Sequence, residues 1–123
     1  MPGIEMPPEA QQYLMKLQTI QAQLQNIAMQ KEALTIQNLE IEKALEELEK
    51  ADEKEDVFKA VGPILIKSNK GDMVKELKDK KETADIRLKS LDKQEGKLQE
   101  EIQEGQKKLQ EMLTAKPEKA KAE

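Results

Sequence analysis

Apolar residues recur at alternating intervals of three and four along most of this chain, and one short central segment interrupts them. The first run is Tyr13, Leu17, Ile20, Leu24, Ile27, Leu34, Ile41, Leu45 and Leu48; the second is Val74, Leu77, Ala84, Leu88, Leu91, Leu98, Ile102, Leu109 and Met112. Residues three and four apart share one face of an α-helix, so each run is a coiled-coil seam. The interrupting segment, Val57-Phe58-Lys59-Ala60-Val61-Gly62-Pro63-Ile64-Leu65-Ile66-Lys67, is rich in β-branched residues and is divided by a Gly-Pro pair. It predicts two short strands, Val57–Val61 and Ile64–Lys67, around a tight turn. The fold class is therefore mainly α: a long antiparallel two-helix coiled coil with a central β-hairpin. One domain is expected over 1–123, with helix one at 8–50, the hairpin at 56–67, helix two at 70–114 and a disordered tail at 115–123.

Local signals support these bounds. Pro7 and Pro8 suit a first helical turn, Glu9 lies near the positive end of the helix dipole, and neither Gly nor Pro follows before Lys50. Asn69, with Asp72 three residues on, is a short capping signal for helix two, in which each side chain can serve a free backbone amide. Gly71 weakens this helix locally. Gly105 occupies a seam position and predicts looser pairing there. The tail from Lys116 to Glu123 contains only Lys, Pro, Glu and Ala, with nothing to pack.

A seam from Tyr13 to Leu48 would be roughly 50 Å long at ~1.5 Å per residue. It has almost no interior of its own and requires a partner. The second seam matches it in length, so the chain is expected to fold back with Leu48 near Leu77, Leu34 near Leu88 or Leu91, and Leu17 near Leu109. Lys31 and Asn38 are the polar exceptions on the first seam. In the expected register Lys31 faces Glu95, either as a lock on the register or with both side chains reaching to water.

The hairpin is unusually apolar for a two-stranded element. The expected faces are Phe58, Ala60, Ile64 and Ile66 on one side and Val57, Val61 and Leu65, with Lys59 and Lys67, on the other. No other sheet is predicted to cover either face, and both strand edges are open. Val57, Phe58, Ala60, Val61, Ile64, Leu65 and Ile66 are therefore candidates for assembly with other subunits into a closed hub; capping the chain's own coiled coil is the alternative. The free helix ends carry more apolar groups than a seam needs: Ile4, Met6, Tyr13, Leu14 and Leu17 from one end, Leu109, Met112 and Leu113 from the other. They are candidates for an adaptable apolar contact surface, to which flexible Met side chains are suited.

Composition removes several function classes. There is no Cys and no His, so thiolate chemistry, imidazole bases and the usual zinc sites are absent. The only serines are Ser68 and Ser90, and no glycine-rich phosphate loop is present. No catalytic residue, metal site or cofactor is expected. A net charge of −4 with both signs interspersed, and a single Phe and single Tyr, disfavour nucleic acid as a partner. Met1 to Ala10 lacks a basic start and an apolar run, and no stretch is apolar enough to span a bilayer, so a soluble cytoplasmic protein is expected.

The residues that carry the clearest resemblance are Ala44-Leu45-Glu46-Glu47-Leu48, then Val57 to Gly62 with Ile64 to Lys67, and then Glu76-Leu77-Lys78 running to Arg87-Leu88-Lys89-Ser90-Leu91-Asp92-Lys93-Gln94-Glu95. Over nearly its whole length the chain resembles the β-type subunits of prefoldin. The resemblance implies a molecular chaperone subunit of the holdase kind. Two α-type and four β-type subunits would join through their hairpins into a double β-barrel, an α2β4 hexamer bearing six tentacle-like coiled coils. The tips would bind unfolded client proteins, prevent their aggregation and deliver them to a group II chaperonin without ATP. Pro63 departs from many members, removing one amide where the turn can shift by a residue. The alternative reading is a structural spacer or tether with one defined helical partner.

Overall fold

The computed structural model describes residues 6–122, with side chains as far as Thr114. Helix α1 spans Pro8–Lys50. Pro8 stands in the first turn, where its missing amide forfeits no helical bond, and the Gln11 amide donates to the Pro7 carbonyl at 3.0 Å. At the other end the Ala51 amide is shared between the carbonyls of Glu47 and Leu48, each at 3.2 Å. The Lys70 ammonium then donates to the Ala51 carbonyl at 2.9 Å and to that of Glu49 at 3.4 Å. This places a cation at the negative end of the helix dipole and satisfies carbonyls that have no helical partner. A turn at Asp52, with the Lys54 amide donating to its carboxylate at 3.3 Å, leads into the hairpin.

Strands β1 (Val57–Val61) and β2 (Ile64–Ser68) pair antiparallel, with Val61 opposite Ile64 and Val57 opposite Ser68. Gly62 has a φ of +57°. A left-handed first turn residue followed by proline, whose ring holds φ near about −65°, is the combination of a type II′ turn, whose twist matches that of the strands. Pro63 thus lies inside the two-residue loop, outside the ladder, and the turn is not shifted. This register changes the expected faces, since residues directly opposite share a face. Val57, Lys59, Val61, Ile64, Ile66 and Ser68 lie on one side, and Phe58, Ala60, Leu65 and Lys67 on the other. The two-residue loop is the reason: it pairs odd-numbered positions of β1 with even-numbered positions of β2, where the expectation had matched even with even.

Helix α2 spans Lys70–Ala122. Asn69 caps it: the Asp72 amide donates to Asn69 Oδ1 at 2.8 Å, and the return bond runs from Asn69 Nδ2 to the Asp72 carboxylate at 2.9 Å. The expected reciprocal bond to the Asn69 backbone amide is replaced by this side-chain pair. The helix also continues past Thr114, where a disordered tail was expected.

The chain forms two compact units, residues 1–29 with 91–123 and residues 30–90. In the first, Ala10, Leu17, Ile20, Ile27 and Leu91 are buried, and Tyr13, Leu24, Leu98, Ile102, Leu109 and Met112 are half-buried. Each aliphatic side chain so covered contributes about 1.5–3 kcal/mol when fully buried. Leu17, expected beside Leu109, sits over Gly105, about one turn away. A Cβ at position 105 would lie 2.6 Å from Leu17 Cδ2. The missing side chain is therefore filled by the opposing leucine, and the pairing here is close where loose packing was expected.

In the second unit Ile41 and Ala84 are buried and Leu34, Leu45, Leu48, Val74, Leu77 and Leu88 half-buried. The seam is interrupted by a polar layer. Buried Asn38 donates through Nδ2 to Asp85 Oδ1 at 2.9 Å, while its own Oδ1 is buried without a partner. Lys81 lies 3.3 Å from Asp85 and 3.7 Å from Glu42, linking four side chains across the two helices. The hairpin is tied to this unit through Lys59, which pairs with Glu76 in the second turn of α2. That bond holds the Glu76 carboxyl below its ordinary value; desolvation opposes it, and the charges of Lys59 and Lys80 add to the lowering.

Two predictions follow from these polar contacts. Asn38→Leu removes a buried unpaired oxygen and adds apolar contact, so chemical denaturation should show a gain of about 1–2 kcal/mol; Asp85→Ala leaves the Asn38 amide without an acceptor and should lose about 1–2 kcal/mol. For Glu76 the folded-state carboxyl titrates below its unfolded value. Its contribution is therefore present above the ordinary carboxylate range and disappears as pH falls through the folded value. Thermal midpoints measured from pH 7 down to pH 3 should fall more steeply in the parent than in Glu76→Gln.

Candidate functional site

The hairpin leaves most of its apolar surface uncovered among the described residues. On the face shared with Lys59, only Val57, Lys59 and Ser68 are partly shielded, whereas Val61, Ile64 and Ile66 are exposed. On the opposite face every residue is exposed, including Phe58 at 54% and Leu65 at 71%. Val57 apart, each sequence-chosen hairpin candidate is thus open to solvent: Phe58, Ala60, Val61, Ile64, Leu65 and Ile66. In an antiparallel pair alternate residues turn their amides and carbonyls away from the partner strand. The sheet has two strands, so both long edges carry unpaired backbone groups. The arrangement offers hydrogen-bonding edges and apolar faces together, which is the chemistry of strand addition.

Ion pairs fix where this surface sits. Lys59 is fastened to Glu76, and Lys67 lies 3.4 Å from Asp56 at the strand root. Both pairs are partly or largely solvent-exposed, so they orient the hairpin more than they stabilise it. Neither pair was anticipated from the sequence. The available signal was Lys59 and Lys67 in the strands with acids on both flanks of the hairpin, Asp56 before it and Glu76 after it.

The second set of candidates lies at the helix ends. Ile4 is outside the described residues. Met6, Tyr13, Leu109 and Met112 are half-buried, while Leu14 and Leu113 are exposed. Leu17, expected both as a seam residue and as a helix-end candidate, is 8% exposed and packs over Gly105. A groove of about 250 Å³ runs between the helices here, lined by Tyr13, Lys16, Leu17 and Ile20 of α1 and Glu101, Glu104, Gly105 and Lys108 of α2. Tyr13 and Leu17 are thus the only two tip candidates on its wall. Met15, at 67% exposure, projects off the seam beside Leu14 and belongs with the exposed group.

Among the described residues no group of Asp and Glu is placed to hold a metal ion, and no helix is long and apolar enough to cross a membrane.

Comparison with known proteins gives a consistent result. The family described as prefoldin subunit matches residues 11–116. The prefoldin subunit beta of Archaeoglobus fulgidus is 46% identical over 110 residues, covering 89% of this chain and 95% of that protein. The corresponding subunit of Thermococcus onnurineus is 40% identical over 107 residues, covering 87% and 92%. The crystal structure of the prefoldin beta subunit from Thermococcus strain KS-1 superposes with a TM-score of 0.79 at 37% identity, covering 89% of this chain and 96% of that one. With the helix–hairpin–helix order, the capped second helix and the uncovered hairpin already in place, these matches assign the chain to the prefoldin family of chaperone subunits, among its β-type members.

Proposed function

We propose that the chain assembles through its hairpin with α-type prefoldin subunits and further β-type copies, as an α2β4 hexamer with a β-barrel hub. The helix ends then hold unfolded client proteins in the cytoplasm, prevent their aggregation without ATP and pass them to a group II chaperonin. The observation that carries this reading is the hairpin, which among the described residues has one face exposed throughout, Val61, Ile64 and Ile66 exposed on the other, and no third strand on its edges. Edge-to-edge addition of like hairpins covers both kinds of surface at once. At the helix ends, exposed Leu14 and Leu113 with half-buried Met6 and Met112 provide small apolar contacts. Each is weak alone, and several coiled coils gripping one client raise retention through effective concentration. A spacer with one helical partner is not favoured, because it gives the apolar hairpin no occupant. No catalytic role is proposed.

Two measurements test the two halves of this proposal. Phe58→Asp or Ile66→Asp places a charge within the assembly surface, and light scattering on the subunit co-expressed with an α-type partner should show a hexamer reduced to smaller species; an undiminished hexamer would refute hairpin-mediated assembly. For the helix ends, Leu14, Leu109, Met112 and Leu113 replaced together by Ser should leave the hexamer intact. Suppression of aggregation of a denatured client should then fall by about tenfold, as expected when several apolar contacts near 1 kcal/mol are lost. Full suppression by this variant would remove the helix ends as the holding surface.

A further inference from the structure

The two helices of the terminal unit present opposite kinds of outward surface. On α1 the stretch from Ala10 to Gln30 contains one charged residue, Lys16, in a chain of which 37% is charged. Its side away from the seam is formed by Gln11, Gln18, Ala22 and Gln25, all exposed, with Met15 at 67% and Met29 at 71% exposure. On α2 the facing length from Leu91 to Met112 carries Asp92, Lys93, Lys97, Glu100, Lys107 and Glu111, all solvated. A solvated helix back normally carries charge, as α2 does, because charge favours solubility and adds i,i+4 pairs. The back of α1 has almost none.

We propose that this uncharged back of α1 is a second holding surface, occupied by extended, apolar-rich segments of non-native polypeptide. The proposal rests on the holdase reading above and moves part of the grip from the helix ends along one helix. The chemistry fits that occupant in three respects. Gln11 spends one donor on the Met6 carbonyl at 3.1 Å, but an exposed Gln such as Gln18 or Gln25 carries two donors and an acceptor, which match the unpaired amides and carbonyls of an unfolded backbone whatever its sequence. Met15 and Met29 adapt to apolar side chains of varied shape. The absence of charge is the deciding feature, since a face of either sign would repel half of all clients and desolvate its own ions on contact. A structured acidic or basic partner would select for a charged face, which α1 does not supply.

The test inserts charge without changing size. Gln18→Glu with Gln25→Glu charges the back of α1, and Gln94→Glu with Gln103→Glu adds the same two charges to exposed positions of α2 as a control. Each is assembled with an α-type partner and assayed for suppression of aggregation with one acidic and one basic denatured client. The α1 variant should hold the acidic client about fivefold less well at low ionic strength, hold the basic client as well or better, and recover in about 0.5 M salt. The control should track the parent for both clients. If the α1 variant and the control are indistinguishable for both clients, the proposal is overturned while the helix-end reading stands. If the Ser-substituted helix ends retain full activity and the α1 variant loses it, the helix-end reading falls and the back of α1 is the main grip.

Discussion

A two-stranded antiparallel ladder can cover neither its faces nor its edges, and residues 57–68 make that incompleteness acute. A polar hairpin in this position would be content in water. Here Phe58, Val61, Ile64, Leu65 and Ile66 are exposed, and no third strand takes the outward backbone groups. The rest of the chain is arranged so that this surface stays presented and does not collapse. Gly62 and Pro63 close the ladder in the shortest loop, the Lys59–Glu76 pair holds one face toward α2, and Asn69 starts α2 directly after β2. The Lys70 ammonium, bonded to the last carbonyls of α1, joins the two helix ends that flank the hairpin. Apolar surface held open by polar fastenings is what the proposed hairpin-mediated assembly requires.

The helices follow the opposite logic, since their apolar residues are satisfied within the chain. Ala10, Leu17, Ile20, Ile27, Ile41, Ala84 and Leu91 are covered, and little is left over on the seam. Two features depart from plain apolar packing. Gly105 lets Leu17 approach closely enough that even one added methyl group would collide with it. The Asn38, Asp85, Lys81 and Glu42 layer gives up apolar burial and leaves one amide oxygen unpaired. In an otherwise repetitive seam, a bulky residue opposite a missing one and a polar residue opposite its acceptor are features that a slipped register would lose. Both features trade local stability for a defined alignment of the helices.

Most of the fold was legible because its signals are periodic. The seam positions were given by three-and-four spacing, the strands by β-branched residues, and the start of each helix by Pro8 and by Asn69 with Asp72. What escaped the sequence was relational. The hairpin faces depended on loop length, and the expected faces assumed the wrong parity of pairing. The register depended on what stands opposite Gly105, so the seam residue Leu17, also counted among the helix-end candidates, was placed beside Leu109 when it packs over Gly105. The polar layer was half visible: Asn38 stands out on the first seam, but its link through Asp85 and Lys81 to Glu42 depends on the register of the two helices. The helix-end candidates were legible as composition, and their division into exposed Leu14 and Leu113 and buried Leu17 required the opposing helix.

Charge, more than hydrophobicity, distinguishes the outward surfaces of the helices. Exposed apolar side chains are common on any protein and seldom demand explanation one by one. A helix of some twenty residues with a single charge is a different matter in a chain where acids and bases make up 37% of positions. Such a segment is helical because Gln, Ala, Met and Leu are good helix formers, so helix propensity does not require the charges to be absent. Packing does not require it either, since Gln18, Ala22 and Gln25 on the back of α1 are exposed, as are Met15 and Met29. What uncharged amides and thioethers offer in common is indifference to the sign and sequence of whatever lies against them, which is the property that the proposed grip along α1 would draw on.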